Sequence, residues 1–434
     1  MMIFENKTVM VIGLGYVGLP LAAAFSKRVK TFGYDIDETR IKSYLSGHDI
    51  TAEIGDATLQ QAAIEFTTNP KDIGAADYII VTVPTPITTE NKPDLSPLIQ
   101  ASHMIGMHMK KGALVVFEST VHPGATEEIC VPVITKASGF KLGVDFTVGY
   151  SPERINPGDK KNRLADIVKI VAGSDEKTTE EMAALYGLII DAGVYKADTI
   201  KVAEAAKIIE NTQRDVNIAF MNDMAMALTT LDIDTKEVLK AMNTKWNALG
   251  FFPGLVGGHC IGVDPYYLTT ELAKNGYHSP LITGARAINE NMSDFVTNAF
   301  IKEMALADIK IKNAKVAIFG ITFKADCPDI RNSKVIDIVK QLQAYEIEPL
   351  IIDPLASGDT LKQVHGLTLS NPEELKDLDG IIVAVDHETF KQQLTKDVID
   401  SYFNKNNLQN VVVDVKCMLM RNDFKGPEYR YWRL

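Results

Sequence analysis

The chain has 434 residues, of which 46% are hydrophobic and 23% charged, and its formal net charge is −11. This length predicts two or three domains, because one hydrophobic core rarely serves more than about 250–300 residues. The acidic balance disfavours a general nucleic-acid or anionic-membrane binder, since both need a basic surface. Four cysteines without paired spacing indicate neither a disulfide framework nor a metal site.

The sequence shows no targeting segment. The first apolar run begins at Thr8 and already has the pattern of a strand, which leaves no room for a signal peptide. The longest apolar runs, such as residues 78–83, are far shorter than the ~20 residues of a membrane span. We therefore expect a cytoplasmic globular protein that does not bind membranes or nucleic acid.

The first 35 residues carry a dinucleotide-binding pattern. A β-rich run at 8–12 is followed by Gly13-Leu-Gly-Tyr-Val-Gly18, a helical pattern and a second strand that ends at Asp35. In this context the glycines let a pyrophosphate approach a helix N-terminus, and the acid accepts from ribose hydroxyls. Asp35 favours NAD over NADP because a carboxylate repels a 2′-phosphate, although the nearby Arg40 leaves NADP open. The predicted cofactor contacts here are Gly13, Gly15, Tyr16, Val17, Gly18, Asp35 and Arg40.

Three further strands alternate with helical stretches, at 77–83, 113–117 and 146–150. This alternation predicts a doubly wound parallel sheet, in which ligands bind beyond the carboxyl ends of the strands. Each strand runs into a polar or proline-bearing loop, and these loops hold Thr85, Thr120 and Glu153. We expect the loops to surround the nicotinamide, with Thr85 and Thr120 as cofactor contacts.

One long helix is predicted from about residue 198 to 231, where apolar residues recur at helical spacing without Pro or Gly. About 30 residues of helix span ~45 Å, enough to connect two lobes and to offer a dimer surface. Lys207 and Asn211 lie four residues apart, so they share one face and could reach one substrate together. A second helical stretch at 281–308 completes a central helical region.

Between these helices lies Gly257-Gly-His-Cys-Ile-Gly-Val-Asp-Pro265, which places a thiol among three glycines. Glycine permits positive φ and the close approach of a ligand, so Cys260 should be reachable. Its neighbour His259 could favour the thiolate, and the Asp264 carboxylate lies within reach. We therefore predict Cys260 as a nucleophile. A lone cysteine is more often a small buried hydrophobe, and the others keep that interpretation: Cys130, Cys327 and Cys417.

The last third of the chain predicts a second α/β unit without the GxGxxG pattern. We interpret it as a nucleotide-binding domain, with Lys324 and Arg331 as candidate phosphate contacts. The aromatic residues at 426–434 form either a mobile tail or a docked segment. Its predicted strands lie at 315–320, 348–352, 380–385 and 410–415, with a helix at 333–345.

The expected fold class is α/β, with two Rossmann-like doubly wound parallel-sheet domains joined by a central helical domain that contains one long helix. The predicted boundaries place the NAD-binding domain at 1–197, the central helical domain at 198–310 and the second α/β domain at 311–434. The long apolar helix favours a homodimer or a higher homo-oligomer.

Six ordered motifs resemble the nucleotide-sugar dehydrogenase family, the UDP-glucose/GDP-mannose type, over essentially the whole chain. They are GLGYVGLP at 13–20, ESTVHPG at 118–124, SPERINPGD at 151–159, EAAKIIEN at 204–211, GGHCIGVDPYYL at 257–268 and GITFKADCPDIR at 320–331. UDP-glucose dehydrogenases usually carry a GGSCFPKD-like loop, whereas GGHCIGVDPYY is similar to the branch that acts on N-acetylated UDP-hexosamines. That branch includes the UDP-N-acetylglucosamine/UDP-N-acetylgalactosamine 6-dehydrogenases of capsule and O-antigen biosynthesis.

The resemblance implies that the C6 alcohol of the sugar is oxidised to a uronate with two NAD per turnover. The intermediates would be a thiohemiacetal and then a thioester on Cys260. Lys207 and Asn211 would stabilise the oxyanions at C6, as a cation and an amide can. The implied substrate contacts are Glu153, Arg154, Ile155, Asn156, Lys207, Asn211, Phe252, Gly257, Phe323 and Lys324.

The resemblance also implies roles for the remaining polar residues. Asp264 and Thr120 would hold a water and its proton path, and Glu153 would act as the base for thioester hydrolysis. The division of base duty among Asp264, Glu153 and Lys207 stays open, because their titrations would be coupled. Arg331 would contact the cofactor.

Three alternatives are kept. The substrate could be UDP-ManNAc or UDP-glucose, because gluco, galacto and manno configurations differ by a few polar contacts. A 6-phosphogluconate- or hydroxyacid-type dehydrogenase would need no thiol and would form one NADH per turnover. A nucleotide-sensing scaffold would bind NAD without turnover, and thiol alkylation would leave that binding unchanged.

Overall fold

The computed structural model describes residues 4–88, 90–155 and 163–434. The chain folds into two compact units. The first comprises Met1–Asn211 with Tyr266–His278, and the second comprises Thr212–Pro265 with Ser279–Leu434. The three-domain division at 1–197, 198–310 and 311–434 stays a prediction.

The first unit contains an eight-stranded sheet of order β3-β2-β1-β4-β5-β6-β7-β8. Neighbouring strands are parallel except β6 and β7, which are antiparallel. The central strands β4 and β5 are buried along their whole length, as expected for strands covered on both faces. The strands are β1 (Thr8–Ile12), β2 (Lys30–Tyr34), β3 (Ile64–Thr67), β4 (Tyr78–Val81), β5 (Ala113–Phe117), β6 (Phe146–Tyr150), β7 (Lys169–Gly173) and β8 (Val194–Lys196).

The doubly wound α/β fold class is confirmed, and strands that were not predicted enlarge this sheet. The strands β3 and β8 lie at its two edges and have short, partly polar sequences, so their hydrophobic pattern is weak. The antiparallel β7 is an exception to the predicted all-parallel sheet. The helices of this part of the chain are α1 (Gly18–Ser26), α2 (Glu38–Leu45), α3 (Asp56–Gln61), α4 (Ser96–His108), α5 (Val131–Ser138) and α6 (Glu176–Tyr186).

The middle of the chain is helical, as predicted. The long helix α7 runs over Ile200–Thr230 and is followed by α8 (Thr235–Met242) and α9 (Asp264–Lys274). The stretch predicted as one helix at 281–308 is two helices, α10 (Pro280–Glu290) and α11 (Met292–Leu306). Asn291 stands between them at the end of one and the start of the other, because asparagine favours helix termini over helix interiors.

The second unit contains a five-stranded parallel sheet of order β10-β9-β11-β12-β13. The aromatic C-terminal segment is docked, because β13 pairs with β12 along its length. The strands are β9 (Val316–Phe319), β10 (Leu350–Ile352), β11 (Gly380–Val383), β12 (Asn410–Asp414) and β13 (Tyr429–Arg433), and the helices are α12 (Lys334–Ala344), α13 (Gly358–His365), α14 (Glu388–Gln393) and α15 (Lys396–Tyr402).

A glycine and a carboxylate shape the turn after β1. Gly13 has φ 92°, and its N–H donates to the Tyr34 carbonyl over 2.8 Å. Asp35, at the end of β2, then accepts from the Leu14 N–H at Oδ2 over 2.8 Å. The carboxylate of the second strand therefore holds the loop that leaves the first strand.

The same device occurs after β9 in the second sheet. Gly320 has φ 94° and donates its N–H to the Ile352 carbonyl over 2.8 Å. Asp353 follows β10 and accepts from the Ile321 N–H at Oδ2 over 2.7 Å. Each sheet thus presents the loop after its first strand in a fixed conformation at the edge where ligands bind.

Glu204 on α7 is fully buried and holds the loop that follows β5. Its Oε2 accepts from the Gly124 N–H over 2.5 Å, and its Oε1 accepts from the Thr126 N–H over 2.9 Å. Burial raises the pKa of Glu204 to about 7, although these hydrogen bonds favour the charged form. The carboxylate joins the segment that carries Thr120 to the helix that carries Lys207.

Replacing Glu204 by Gln should remove a pH dependence of stability. Because the folded-state pKa lies above the ordinary value near 4.3, the native chain binds this proton more tightly than the unfolded chain. The wild type should lose stability relative to Glu204→Gln as the pH rises from about 5 to 8, by on the order of 1–3 kcal/mol. Thermal unfolding midpoints of both proteins across that pH interval measure the difference.

Glu176→Gln is the matched control, because Glu176 is an exposed carboxylate of the same unit. It should keep the pH dependence of the wild type. A difference between wild type and Glu204→Gln that stays constant with pH would contradict the role of the buried carboxylate.

Candidate active site

The glycine loop of the first unit has the features of a pyrophosphate site. A Cβ on Gly18 would lie 1.8 Å from the Gly13 carbonyl oxygen, so only glycine fits there, whereas a Cβ on Gly15 would meet nothing within 4 Å. Val17 precedes α1, and no side chain caps this helix N-terminus. Backbone N–H groups at such a terminus bind phosphate. Gly15, Tyr16 and Val17 are partly exposed, which fits their predicted role as cofactor contacts.

Asp35 is buried beside this loop with both carboxylate oxygens engaged. Besides Leu14, its Oδ2 accepts from Arg40 Nη1 over 2.7 Å, and its Oδ1 accepts from the Asp37 N–H over 2.9 Å. The Arg40 guanidinium also lies 3.8 Å from Asp37. Its charge is therefore matched by two carboxylates, which argues against a 2′-phosphate at this position.

The loops after β4 and β5 lie side by side. The Ser119 hydroxyl donates to the Val83 carbonyl over 2.6 Å, which links the two loops. Thr85 and Thr120 are both half-buried at these strand ends. They are thus at the carboxyl edge of the sheet, where the sequence predicts cofactor contacts.

Glu153 follows β6 and is nearly buried, with 8% of its surface exposed. Its Oε1 accepts from the backbone N–H groups of Arg154 and Ile155. Its Oε2 is buried and has no hydrogen-bond partner among the residues that the structure describes. Lys169 Nζ lies 3.9 Å from this Oε2. This arrangement fits a base with one oxygen available to a ligand or a water.

A buried charged cluster behind Glu153 was missed by the sequence predictions. Lys169 Nζ lies 2.6 Å from Glu118 Oε2, and the Tyr186 hydroxyl donates to Glu118 Oε1 over 2.5 Å. Burial raises the pKa of Glu118, although Lys169 opposes the shift. The sequence contained one signal for this cluster, a Glu and a Lys that each border an otherwise apolar strand. Residues of these two types are rarely buried unless they are paired.

Two of the predicted catalytic residues lie on α7. Lys207 is half-buried and Asn211 is buried, one helical turn apart on one face. Arg154 Nη2 lies 3.4 Å from Glu210 Oε2, which ties the segment of Glu153 to this helix. Asn156 lies outside the described residues.

The thiol loop belongs to the second unit, and close contacts require two of its three glycines, Gly257 and Gly258. A Cβ on Gly257 would lie 2.6 Å from the Asn332 carbonyl oxygen, and one on Gly258 would lie 2.7 Å from the Phe323 ring. Asn332 Nδ2 donates to the Gly258 carbonyl over 3.0 Å. Cys260 is half-buried, in keeping with a reachable thiol.

Cys260 and Asp264 stand at the two ends of one tight turn. The Cys260 carbonyl accepts from the Val263 N–H over 2.9 Å and from the Asp264 N–H over 2.8 Å. Asp264 is buried and is the first residue of α9. The turn therefore fixes the thiol relative to this carboxylate.

A third group, Asp329, approaches the thiol loop and was also missed. Arg331 donates to both oxygens of this buried carboxylate, with Nη2 to Oδ2 over 2.7 Å. His259 Nδ1 lies 3.5 Å from the same Oδ2. Arg331, which the sequence predicts as a cofactor contact, therefore lies close to His259, the residue that precedes Cys260.

The second sheet has a concave site at its carboxyl edge, between the loops after β9 and β11. The chain leaves β9 toward β10 on one side and returns to β11 on the other, so this is the topological switch point at which such sheets bind ligands. Phe252 does not line this concave site and is exposed. The lining residues are Leu255, Phe323, Lys324, Ala325, Ser333, Lys334, Val335, Ala384, Val385, Asp386 and Lys416.

Two further searches covered the same described ranges, 4–88, 90–155 and 163–434. No helix in them combines the length and the apolar character that crossing a membrane requires. No group of three or more His, Cys, Asp or Glu side chains in them is placed to hold a metal ion.

Three profiles of the UDP-glucose/GDP-mannose dehydrogenase family match the chain: the NAD binding domain at residues 7–190, the central domain at 201–291 and the UDP binding domain at 317–421. Protein CapL of Staphylococcus aureus is 47% identical over 429 residues, covering 99% of this chain and 100% of that protein. A UDP-N-acetyl-D-glucosamine 6-dehydrogenase of Pseudomonas aeruginosa is 47% identical over 416 residues, covering 96% and 98%.

Solved structures agree with this result. A UDP-D-ManNAc dehydrogenase from Pyrococcus horikoshii has a TM-score of 0.86 and 29% identity, covering 98% of this chain and 99% of that one. The glycine loop and the family's NAD binding domain lie in the same part of the chain. The chain therefore belongs to the UDP-glucose/GDP-mannose dehydrogenase family and is an NAD-dependent UDP-sugar dehydrogenase.

Proposed function

We propose that the chain oxidises the C6 hydroxyl of a UDP-N-acetylhexosamine, UDP-GlcNAc or UDP-GalNAc, to the uronate for surface polysaccharide synthesis. The single observation that carries the chemistry is the half-buried Cys260 thiol on a loop built from glycines. The substrate class rests on relatives. Proteins named UDP-N-acetyl-D-glucosamine 6-dehydrogenase are 46–47% identical, whereas those named UDP-N-acetyl-D-mannosamine dehydrogenase are 31–34% identical.

The proposed reaction is a four-electron oxidation. NAD, when bound, would accept one hydride in each of the two oxidations, so two NAD would be consumed per sugar. In the first, a base removes the C6 hydroxyl proton as the aldehyde forms. Cys260 then adds to the aldehyde as a thiohemiacetal, which becomes a thioester when the second hydride leaves. Water cleaves the thioester and returns the thiol together with the carboxylate product.

The predicted catalytic side chains would support these steps. Lys207 and Asn211 would stabilise negative charge on the C6 oxygen. Glu153 would activate the hydrolytic water, since its buried Oε2 lacks a hydrogen-bond partner among the described residues. Asp264 and Thr120 would hold that water and its proton path.

The concave site of the second sheet would hold the UDP moiety. Lys324 and Lys416 line it and supply positive charge for a diphosphate, while the Asp386 carboxylate can accept from hydroxyl groups. Phe323 lines the same site and contacts the thiol loop through Gly258. A UDP bound here would therefore adjoin the loop that carries Cys260.

We also expect a homodimer or a higher homo-oligomer. The long helix α7 exposes several large apolar side chains, which a second copy of the chain could cover: Val202, Ile209 and Phe220. The oligomeric state does not enter the steps proposed above.

The first prediction from this proposal concerns the number of NADH formed per sugar consumed. We expect two NADH per UDP-GlcNAc or UDP-GalNAc consumed, with a uronate product, and loss of turnover in Cys260→Ser because oxygen is the poorer nucleophile here. Absorbance of NADH and mass spectrometry of the product measure both. UDP-ManNAc and UDP-glucose are tested in parallel, and Cys417→Ser is the matched control. One NADH per sugar, or a fully active Cys260→Ser, would refute the thioester route.

The second prediction concerns Glu153. In Glu153→Gln the amide occupies the same space but is a far weaker base, so hydrolysis of the thioester should slow about 10²–10⁴-fold. Intact-protein mass spectrometry after mixing with substrate and NAD should show the acylated chain. Glu127→Gln should show no such adduct. Rapid hydrolysis in Glu153→Gln would remove this residue from the base role.

The third prediction concerns UDP binding. Lys324→Met should weaken the binding of UDP roughly tenfold or more, because one charge-assisted hydrogen bond is worth about 1.5–3 kcal/mol. The exposed Lys405→Met should leave the affinity unchanged. Isothermal titration with UDP at two salt concentrations measures the effect, which should shrink at high salt. Equal affinities of wild type and Lys324→Met would place the diphosphate elsewhere.

A further inference from the structure

His387 is fully buried shortly after β11, and the proposed reaction does not use it. It directly follows Asp386, which lines the concave site of the second sheet, and it precedes the first residue of α14. Its ring packs edge-on against Phe390, with 5.4 Å between the ring centroids. A buried polar side chain needs hydrogen-bond partners in place of water. The partners of this ring therefore indicate its role.

The hydrogen bonds of the ring assign its tautomer. Nδ1 accepts from the backbone N–H of Asp326 over 3.0 Å, so this nitrogen carries no hydrogen. Nε2 then carries the ring hydrogen, and it lies 3.2 Å from Asp353 Oδ2 and 3.1 Å from Thr322 Oγ1. The Thr322 hydroxyl donates to the Lys324 carbonyl over 3.0 Å, so its oxygen acts as an acceptor toward Nε2. Both neighbours of Nε2 are thus acceptors, which agrees with this tautomer.

Asp353 holds the start of the loop that follows β9. Its side chain is fully buried, and its Oδ2 also accepts from the N–H groups of Ile321 and Thr322 over 2.7 and 3.2 Å. Burial disfavours its charge, but hydrogen bonds from His387 and from backbone N–H groups outweigh burial and lower the pKa of Asp353. Because two backbone donors already hold this carboxylate, the distinct contribution of His387 is the acceptor at Nδ1.

That acceptor holds an uncommon backbone conformation. Asp326 has φ 55°, in the left-handed region that L-residues other than Asn and Asp rarely adopt. Its N–H donates to the His387 ring, and its Oδ1 accepts from the N–H of Glu388 over 3.0 Å. The consecutive residues His387 and Glu388 therefore hold Asp326 through both its backbone and its side chain.

The loop fixed in this way is 322–326. At one end Thr322 is held by Asp353, and at the other end Asp326 is held by His387. Loss of the acceptor at Nδ1 would therefore release one end and leave the other in place. The three residues between these ends all line the concave site: Phe323, Lys324 and Ala325.

We propose that His387 is a positioning residue of the UDP site, whose Nδ1 holds the 322–326 loop in the conformation that presents Lys324 to the diphosphate. This inference rests on the proposed place of UDP in the concave site. Groups that are held in the bound geometry before the ligand arrives bind it more tightly, because less conformational freedom is lost on binding. Without the acceptor, the Asp326 N–H loses its partner, and we expect the loop to sample other conformations.

Three substitutions at His387 separate the roles of its two ring nitrogens. His387→Asn keeps an acceptor at the position of Nδ1, His387→Gln places its amide near the position of Nε2, and His387→Leu keeps neither. We expect His387→Gln and His387→Leu to bind UDP about tenfold more weakly than the wild type, and His387→Asn to bind it within about threefold of the wild type. Isothermal titration of the full-length chain with UDP measures these affinities. In turnover assays, the two weak binders should raise KM for the UDP-sugar more than they lower kcat.

His365→Asn is the matched control, since His365 is a partly exposed histidine of the same unit, and its UDP affinity should equal that of the wild type. Thermal unfolding verifies that each variant is folded, and the Asn and Gln variants decide the question if His387→Leu does not fold. Wild-type affinity in His387→Gln would overturn the proposal, and so would equal losses in folded His387→Asn and His387→Gln.

Lys324→Met separates this inference from the proposed function. Weaker UDP binding in Lys324→Met together with wild-type binding in His387→Gln would overturn the role of His387 alone. Equal affinities of the wild type and Lys324→Met would overturn the proposed place of UDP, and this inference with it.

Discussion

A carboxylate that follows the second strand of each sheet holds the loop that leaves the first strand. Asp35 does this for Leu14, and Asp353 does it for Ile321. Each loop begins with a glycine whose positive φ the turn requires, so backbone geometry and a buried charge act together. The loop of the first sheet contains the predicted pyrophosphate site, and the loop of the second leads to Phe323, Lys324 and the segment that anchors the thiol loop. Both predicted nucleotide sites therefore adjoin a loop that is held by the same kind of interaction.

Buried carboxylates hold the segments that carry predicted catalytic residues, and each of these carboxylates has hydrogen-bond or ion-pair partners. Glu204 accepts two backbone hydrogen bonds, Glu118 is paired with Lys169, and Asp329 is paired with Arg331. A buried charge without a partner is strongly destabilising, because burial removes its hydration and nothing replaces it. Buried carboxylates are therefore found only where the fold supplies hydrogen-bond or ion-pair partners. All three lie next to segments that carry predicted catalytic residues. We therefore expect substitutions at these positions to change both the stability and the activity of the chain.

The proposed reaction places two demands on the chain that a simple dehydrogenase does not meet. It needs a nucleophile that can form and release a thioester, and it needs a base with a free acceptor for the hydrolytic water. Cys260 and Glu153 each have surroundings that match one of these demands. The thiol lies on a loop rich in glycine, and the carboxylate has a buried oxygen without a hydrogen-bond partner among the described residues. The family assignment accounts for the cofactor, and these local features would account for the second oxidation that we propose.

Local patterns were sufficient for much of this protein. The GxGxxG turn, the alternation of strands and helices, the uninterrupted apolar spacing of α7 and the glycine-framed Cys260 are all properties of neighbouring residues. They were therefore enough to predict the fold class, the candidate cofactor loop and the candidate thiol. The antiparallel β7, the weakly patterned edge strands and the docking of β13 depend on pairing between distant segments. The same holds for Lys169 beside Glu118, for Glu204 beneath the loop of Thr120, and for Asp329 beside His259. Only the tertiary structure decided these contacts, because burial and charge pairing arise between residues that the chain separates by tens of positions.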